Sequence, residues 1–254
     1  VGAIYEPRSG YADPTRTTRS LIGSAKEWGL MVYEGVGATG IRIEGGGVVA
    51  VETEDGPVNT PVVVNAAGPW GRKVAEWIGI NDSIRWSRET DIVLRLPLNF
   101  GAFPVVSDPH LRSYFRPAGR DEMLAGLGYP KEIEPLDISQ YDEVLDEESR
   151  NRIMRPLLER MPSLKSADFV RGWASVYTIT DDWHPLIGAV PGVLGYYACY
   201  GGSGHSFKLG PPIGEALADI ISGNPPDIDI RPLRPDRFVD GEPVLSAWGI
   251  GNRG

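Results

Sequence analysis

Leu21, Ala25 and Trp28 fall at i, i+4 and i+7 behind Asp13-Pro14, and Gly29 follows them directly. That spacing gathers the apolar positions on one helical face, with Asp13 as N-cap, Pro14 in the first turn and Gly29 as the left-handed stop. The period then drops to two. Residues 30–34, 38–44 and 48–53 alternate around Gly45-Gly46-Gly47 and Glu54-Asp55-Gly56, which predicts a small antiparallel meander. Residues 58–65 differ, because Val62-Val63-Val64 is uninterrupted, as in a strand buried on both faces. This run ends in Asn65-Ala66-Ala67-Gly68-Pro69-Trp70. Pro69 opens a helix that carries Val74 and Ile78 and closes at Gly79. Strand, small-residue turn and helix make half an α/β unit, whose ligands collect at the carboxyl end of the strand, here Ala66-Ala67-Gly68.

Beyond residue 84 the pattern is strand-like at 91–96, 103–107, 113–117 and 123–128, with no helix between. This predicts a mostly antiparallel sheet inserted as a second domain. Residues 132–146 are acidic and loop-like. Ile153, Met154, Leu157, Leu158 and Met161 then form one helical stripe, in which Pro156 marks a late start or a kink. Strands return at 169–177 and 195–200. A last helix at 211–222 repeats Ile213, Leu217, Ile220 and Ile221 and stops at Gly223. From Asn224 on, Pro, Asp and Arg predict an irregular tail.

Composition narrows the function classes. The chain has 254 residues, 41% hydrophobic and 23% charged, with a net charge of −9. An acidic surface opposes nucleic-acid binding, which draws on surplus Lys and Arg. No apolar run approaches the roughly 18 residues of a membrane helix. Cys199 is the lone cysteine, so no internal disulfide forms; a buried structural thiol in a reducing, cytoplasmic setting is expected. Gly 32 and Pro 22 together stay below the low-complexity range of roughly 25–30% and point to many tight turns.

The segment Gly201-Gly202-Ser203-Gly204-His205-Ser206-Phe207-Lys208 lies between an apolar strand and the final helix. Glycines there admit close approach to a flat or anionic ligand, while the helix N-terminus and Lys208 add positive charge. That setting suits an electron-rich ring that becomes negative on reduction. A glycine-rich turn with a surface lysine is the plain alternative. Among other ionisable groups, His110 reads as a loop residue. His184 within Asp181-Asp182-Trp183-His184-Pro185 lacks a second ligand cluster, so no metal is expected. Arg116, in Tyr114-Phe115-Arg116-Pro117, can grip a carboxylate bidentately or stand as a strand arginine.

In order, Asp13-Pro14 with its helix, the meander, Val62 to Gly68 with Pro69-Trp70, Tyr177-Thr178-Ile179-Thr180-Asp181-Asp182, and Gly204-His205-Ser206-Phe207-Lys208 with its helix resemble the D-amino-acid oxidase-like family of FAD-dependent oxidoreductases. Sarcosine and glycine oxidases and related amine dehydrogenases belong to it, and the likeness runs from about Tyr5 to Gly223. The resemblance implies an α/β fold, α+β overall: a partial glutathione-reductase-like FAD domain with an inserted antiparallel substrate domain. On that basis 1–83 and 176–223 are the FAD-domain portions, 84–175 the substrate domain and 224–254 the tail. It also implies that Ala38 meets the adenine through its backbone. Ala66, Ala67, Gly68 and Trp70 border the ribityl and phosphate portion. Gly201, Gly202, Ser203, Gly204, His205 and Lys208 form the flavin-edge loop. Tyr177, Lys208 and His205 are the implied catalytic group, and Arg116, Tyr177 and Lys208 the substrate contacts. The implied reaction passes a hydride from the carbon beside nitrogen of a small amine or amino acid to flavin N5, leaving an imine that hydrolyses.

Three departures qualify this. Ser175 stands where monomeric sarcosine oxidases carry the cysteine that bonds flavin, so FAD is expected to be non-covalent. The Lys and His of that subfamily are absent around Gly126-Leu127-Gly128-Tyr129-Pro130. The family's Gly-x-Gly-x-x-Gly turn does not precede the Asp13 helix; Gly35-x-Gly37 and Gly45-Gly46-Gly47 read as meander turns. With Val1 in place of Met, the expectation is a C-terminal part or a subunit, completed by a missing N-terminal segment or a partner chain. Residues 62–64 would then leave an exposed edge and poor solubility. A catalytically silent module and an FAD-dependent hydroxy-acid dehydrogenase are the competing readings.

Overall fold

The computed structural model describes residues 2–98, 100–129 and 131–245. The expectations attached to Val1, Pro130 and tail residues 246–254 lie outside the described residues. In chain order the elements are α1 (Pro14–Glu27), β1 (Ala38–Glu44), β2 (Gly47–Thr53), β3 (Val58–Asn59), β4 (Val63–Asn65), α2 (Gly71–Glu76) and β5 (Arg85–Arg95). They continue with β6 (Val106–Asp108), β7 (Ser113–Pro117), β8 (Glu122–Leu127), α3 (Glu147–Arg160), β9 (Asp168–Ile179), β10 (Leu186–Ala189), β11 (Tyr196–Tyr200) and α4 (Gly210–Ile221). The chain divides into two units, residues 1–34, 90–131 and 144–174 forming one, and 35–89, 132–143 and 175–254 the other.

In the second unit, β1, β2 and β3 form the antiparallel meander. A second sheet has the order β10-β11-β4, with β11 antiparallel to β10 and parallel to β4. Strand β11 reads Tyr-Tyr-Ala-Cys-Tyr, and its two-residue period divides it between two cores. Tyr196, Ala198 and Tyr200 pack with Val48, Ala75, Ile84 and Leu186, whereas Tyr197 and Cys199 face the cluster of Ile187, Ile213, Leu217 and Ile230. Helix α4 supplies that second cover. A sheet with both faces packed is the α/β arrangement the sequence predicts.

The first unit holds α1 and the sheet β6-β7-β8-β5-β9, to which β5 gives residues 90–95 and β9 gives 168–174. One face, through Ile92, Leu94, Phe115, Met123 and Ala125, packs on Ile153 and Leu157 of α3. Asp146 caps α3 by accepting the Ser149 N–H at 2.7 Å, and the helix runs unbroken through Pro156. Helix α1 begins as expected, Asp13 Oδ1 accepting the Arg16 N–H at 2.8 Å, and turns out at Gly29 with φ +93°. None of its residues is buried.

The structure departs from these expectations at five points. Residues 30–34 form no strand: Leu30 donates its N–H to Ala25 O and so closes α1, and the following Met31 and Tyr33 are exposed. Alternation makes a strand only where a ladder partner is in reach. The single strand expected at 58–65 is two, because Thr60 bonds to both the carbonyl and the N–H of Val62 around Pro61 and turns the chain from the meander into the second sheet. Val64 is 40% exposed, so β4 is an edge strand and is not buried on both faces. Strand β10 was not anticipated. In the tail, 3-10 turns at Arg231–Leu233 and Pro235–Phe238 bury Arg237 completely.

Candidate functional site

The parallel strands β4 and β11 end side by side, and each continues into a glycine turn. After β4, buried Asn65 holds the first turn: its Nδ2 donates to Gly71 O at 2.7 Å and to the Tyr196 hydroxyl at 2.8 Å, and its Oδ1 accepts the Ala67 N–H at 3.2 Å. Burial pushes the Tyr196 phenol up to about 12, against the lowering effect of the Asn65 bond, so it remains protonated. Gly71 is required by contact, since a Cβ there would lie 2.5 Å from the Tyr200 ring. Trp86 Nε1 donates to Pro69 O at 2.7 Å and fixes the other side of the turn. The Tyr200 hydroxyl donates to Asp82, whose carboxyl is raised by burial despite that bond.

After β11 the chain enters the Gly201–Ser206 stretch. Gly201 has φ +71° and Gly204 φ +81°, and a Cβ on Gly204 would sit 2.2 Å from the Tyr177 ring. Tyr177 therefore lies flat on backbone. Ser203 takes φ +46° although it is not glycine, and its side chain is fully buried. Its N–H donates to Thr178 O at 2.9 Å and its hydroxyl to Gly201 O at 3.2 Å, which ties the loop to β9.

Between these turns lies a cleft of about 470 Å³, walled by Gly68, Tyr177, Gly201, Gly202 and Gly204 among the expected residues, and by Tyr200, Cys199, Gly210, Ile213 and Gly214 besides. Ala66, Ala67, Trp70, Ser203, His205 and Lys208 flank the same turns without lining it. Ala38, the first residue of β1, is exposed. Lys208 is exposed and has no ion-pair or hydrogen-bond partner among the described residues. His205 sets its ring edge-on to His184 with centroids 6.0 Å apart, and its Nδ1 lies 3.4 Å from Ser203 O. Arg116 belongs to the other unit, on β7, where its guanidinium donates to Pro117 O at 2.9 Å and lies 4.7 Å from the Tyr11 ring centre.

Two expectations are corrected here. Cys199 is half-buried and lines the cleft; it is not an interior thiol, although burial still raises its pKa. The first turn of α4 reads Gly210-Pro211-Pro212, and two prolines remove N–H donors that an anion would use, so that helix end offers its dipole without a hydrogen-bonding nest. Sequence reasoning also missed Gly210 and Gly214. Their i, i+4 spacing puts both on one helical face, and a Cβ on either would meet open space.

Asp182 and Arg237 form a buried pair, Nε to Oδ2 at 2.7 Å and Nη2 to Oδ1 at 2.8 Å. Burial alone would raise the Asp182 carboxyl. The Arg237 bonds, together with the Val244 and His184 N–H donors, outweigh it and hold the carboxyl below its ordinary range. Among the described residues no group of His, Cys, Asp and Glu is placed to hold a metal ion, and no helix is long and apolar enough to cross a membrane.

A sheet covered on both faces, with a glycine-walled cleft at the carboxyl ends of its parallel strands, defines proteins that lay a flat cofactor ring against backbone. Residues 1–220 match the family model for FAD dependent oxidoreductases, and the chain belongs to that family. It is 28% identical over 249 residues to mouse mitochondrial sarcosine dehydrogenase and 27% identical over 253 residues to mouse mitochondrial dimethylglycine dehydrogenase. Those alignments take in 93% and 94% of this chain but 27% and 29% of the relatives, so the chain spans under a third of their length. L-proline dehydrogenase from P. horikoshii superposes with a TM-score of 0.84 at 28% identity, over 92% of this chain and 62% of that one. Glycine oxidase from Geobacillus kaustophilus shares the fold, with a TM-score of 0.76 at 20% identity.

The residues present fit the ring part of FAD. Cβ positions at Gly68, Gly210 and Gly214 are open, while at Gly204 a side chain would collide with Tyr177 and at Gly201 and Gly202 it would press on Ile84, Thr180 and Ser206, so bare backbone forms the walls. The dinucleotide end is a different matter. Gly35-Val36-Gly37-Ala38-Thr39-Gly40 spells Gly-x-Gly-x-x-Gly, yet it leads into β1 and its partner β2, not onto a helix N-terminus, and so cannot seat a pyrophosphate in that way.

Proposed function

We propose that the chain carries the ring-side and substrate-side portions of an FAD-dependent oxidoreductase that oxidises an amine or amino acid at its C–N bond. The glycine-walled cleft with Tyr177 lying on Gly204 carries this reading. FAD supplies the hydride acceptor, and with Ser175 at the position implied for a linking cysteine it is held non-covalently. Gly68, Gly201, Gly202 and Gly204 admit the ring, with Ala66, Ala67 and Trp70 beside its chain and Ala38 toward the adenine. Tyr177 orients substrate on the cleft wall. Lys208 offers an uncompensated positive charge to the reduced ring or a substrate carboxylate, His205 steadies the loop, and Arg116 grips a carboxylate. The boundaries 1–83 and 176–223 for the flavin side and 84–175 for the substrate side belong to the same proposal. The names of the relatives, which act on sarcosine, dimethylglycine and proline, support a small amine or amino-acid substrate. A reducing compartment such as the cytoplasm suits its lone thiol.

A second observation favours a partner or further segment. β4 is a sheet edge with Val64 exposed, and Trp28, Met31 and Tyr33 stand 90%, 73% and 67% exposed. A dinucleotide-binding half would cover such surface. The test is flavin absorbance of the purified chain, alone and coexpressed with such a half, followed by anaerobic addition of sarcosine or L-proline. Bleaching of the bound flavin is the expected result; a yellow holoenzyme that no amine bleaches refutes amine oxidation.

A further inference from the structure

Three non-glycine residues among those described take a left-handed backbone, and two of them stand beside histidines. Trp183, with φ +62°, directly precedes His184, and Ser203, with φ +46°, lies two residues before His205. Such strain persists only where the surroundings over-determine it, and it gathers where a fold holds a working part in place. Both strained residues belong to one place in the second unit, because the His184 and His205 rings meet edge-on, with planes at 81° and centroids 6.0 Å apart.

The 181–185 turn is the anchored side of this contact. Asp182 Oδ1 accepts the His184 N–H at 3.0 Å, Arg237 Nη2 donates to His184 O at 2.7 Å, and His184 Nδ1 lies 2.7 Å from Asp182 O. A carbonyl oxygen only accepts, so Nδ1 carries the hydrogen. Trp183 sits between the two groups that meet, and its left-handed backbone brings them together. Arg237, from the tail, clamps Asp182 in turn. His184 is thereby fixed at its N–H, its carbonyl and one ring nitrogen, although it does not line the cleft. Across the contact lies the wall itself. Ser203 stands between Gly202 and Gly204, both of which line the cleft, and the His205 N–H donates back to Gly202 O at 3.1 Å.

We propose that His184 is a positioning residue for the 201–206 wall: its ring, locked by Asp182 O, backs the His205 ring and keeps Gly202 and Gly204 where they receive a flat cofactor. The tail takes part through Arg237, which holds the turn that aims His184. This deepens the flavin reading above and rests on it only for the identity of the ring that the wall receives.

The full chain, isotope-labelled at its histidine nitrogens, is read by NMR at about pH 8 or above, where a neutral free histidine favours the Nε2–H tautomer. His184 should be in the Nδ1–H tautomer and show a ring-to-ring cross-peak with His205. An Nε2–H tautomer at His184, or no cross-peak, overturns the proposal without any variant. His184→Asn keeps a side-chain N–H and removes the ring, whereas His184→Phe keeps a ring and removes the donor. Hydrogen exchange at the Ser203 and His205 amides should quicken about tenfold in His184→Asn and less in His184→Phe, while β11 amides stay within about twofold. Unchanged loop exchange in a folded His184→Asn overturns the proposal, and so does equal quickening throughout β11, which marks a general loss of stability. In FAD titrations followed by absorbance, His184→Asn should bind about tenfold more weakly than wild type, and His184→Phe should recover most of that loss. A chain with the expected tautomer and loop response that binds no flavin refutes only the flavin reading, and one that binds FAD equally in all three forms refutes only this role.

Discussion

Replacing Arg237 by Met keeps the bulk of the side chain and removes its charge and donors. The guanidinium is 0% exposed. Besides its two bonds to Asp182, it donates to His184 O at 2.7 Å, to Pro185 O and Leu233 O at 3.1 Å, and to Arg234 O at 3.2 Å. The variant leaves Asp182 buried with only the Val244 N–H, the His184 N–H and the Thr180 hydroxyl as donors, at 2.9, 3.0 and 3.1 Å. Breaking one side of a buried pair costs about 3–5 kcal/mol, against a total stability of about 5–15 kcal/mol for a domain. Arg237→Lys should recover little, because a point charge cannot repeat the two-pronged contact. Replacing both partners, as Asp182→Leu with Arg237→Met, should cost less than Arg237→Met alone, since no orphaned charge remains.

Urea unfolding followed by tryptophan fluorescence reads these differences, and Trp183, 6% exposed, lies next to Asp182 in the chain. The pH dependence carries a sign. A carboxyl held below its unfolded value stabilises the protein at neutral pH, and this contribution is lost as pH falls through the folded value. In Arg237→Met the main lowering influence is gone and burial still acts to raise the carboxyl, so acid unfolding should begin at a higher pH than in wild type. A cost for Arg237→Met within the roughly 0.5 kcal/mol of ordinary surface changes would refute the argument, as would a double variant worse than the single.

Gly204→Ala should be costly twice over, through a left-handed backbone at about 1–2 kcal/mol and through overpacking on Tyr177 at about 1–3 kcal/mol; weakened FAD binding by absorbance titration checks it. Asn65→Ala strands Gly71 O and the Tyr196 hydroxyl and should cost about 1–3 kcal/mol by urea unfolding, and a neutral result would show that the Ala66–Trp70 turn does not depend on it. Asp82 is raised by burial, so its ionisation opposes folding, and stability should decline as pH rises through its folded value. Asp82→Asn, which still accepts from Tyr200, should flatten that decline in thermal unfolding across pH. Cys199, with its thiol pushed up, should react with iodoacetamide at pH 7 more slowly than a free thiol.

What the sequence made legible was local. Asp13, Gly29, Gly79 and Gly223 mark helix ends by rules that act within a few residues, and each glycine takes the expected positive φ. The cleft was legible for the same reason, because its walls are two contiguous turns, each a strand end followed by glycine. The meander and the α3 stripe also follow from periods of two and about 3.6, which need no knowledge of distant partners. Failures began where a partner lay far along the chain. Residues 30–34 alternate correctly and still form no strand, since a ladder needs a second strand and helix capping claims Leu30 first. Val62-Val63-Val64 reads as doubly buried, yet Pro61 and the Thr60 turn place β4 at an edge where only β11 adjoins it. Asp182 was visible in its motif, but nothing within reach of a local rule identifies Arg237, 55 residues away, as the reason it is buried. The same holds for Asp91 and Tyr114, which are 23 residues apart and meet only because an intervening strand presents glycine at the shared register position. Backbone-built walls are thus readable one segment at a time, whereas contacts of buried charges are assembled from distant segments and become visible only when the fold is known.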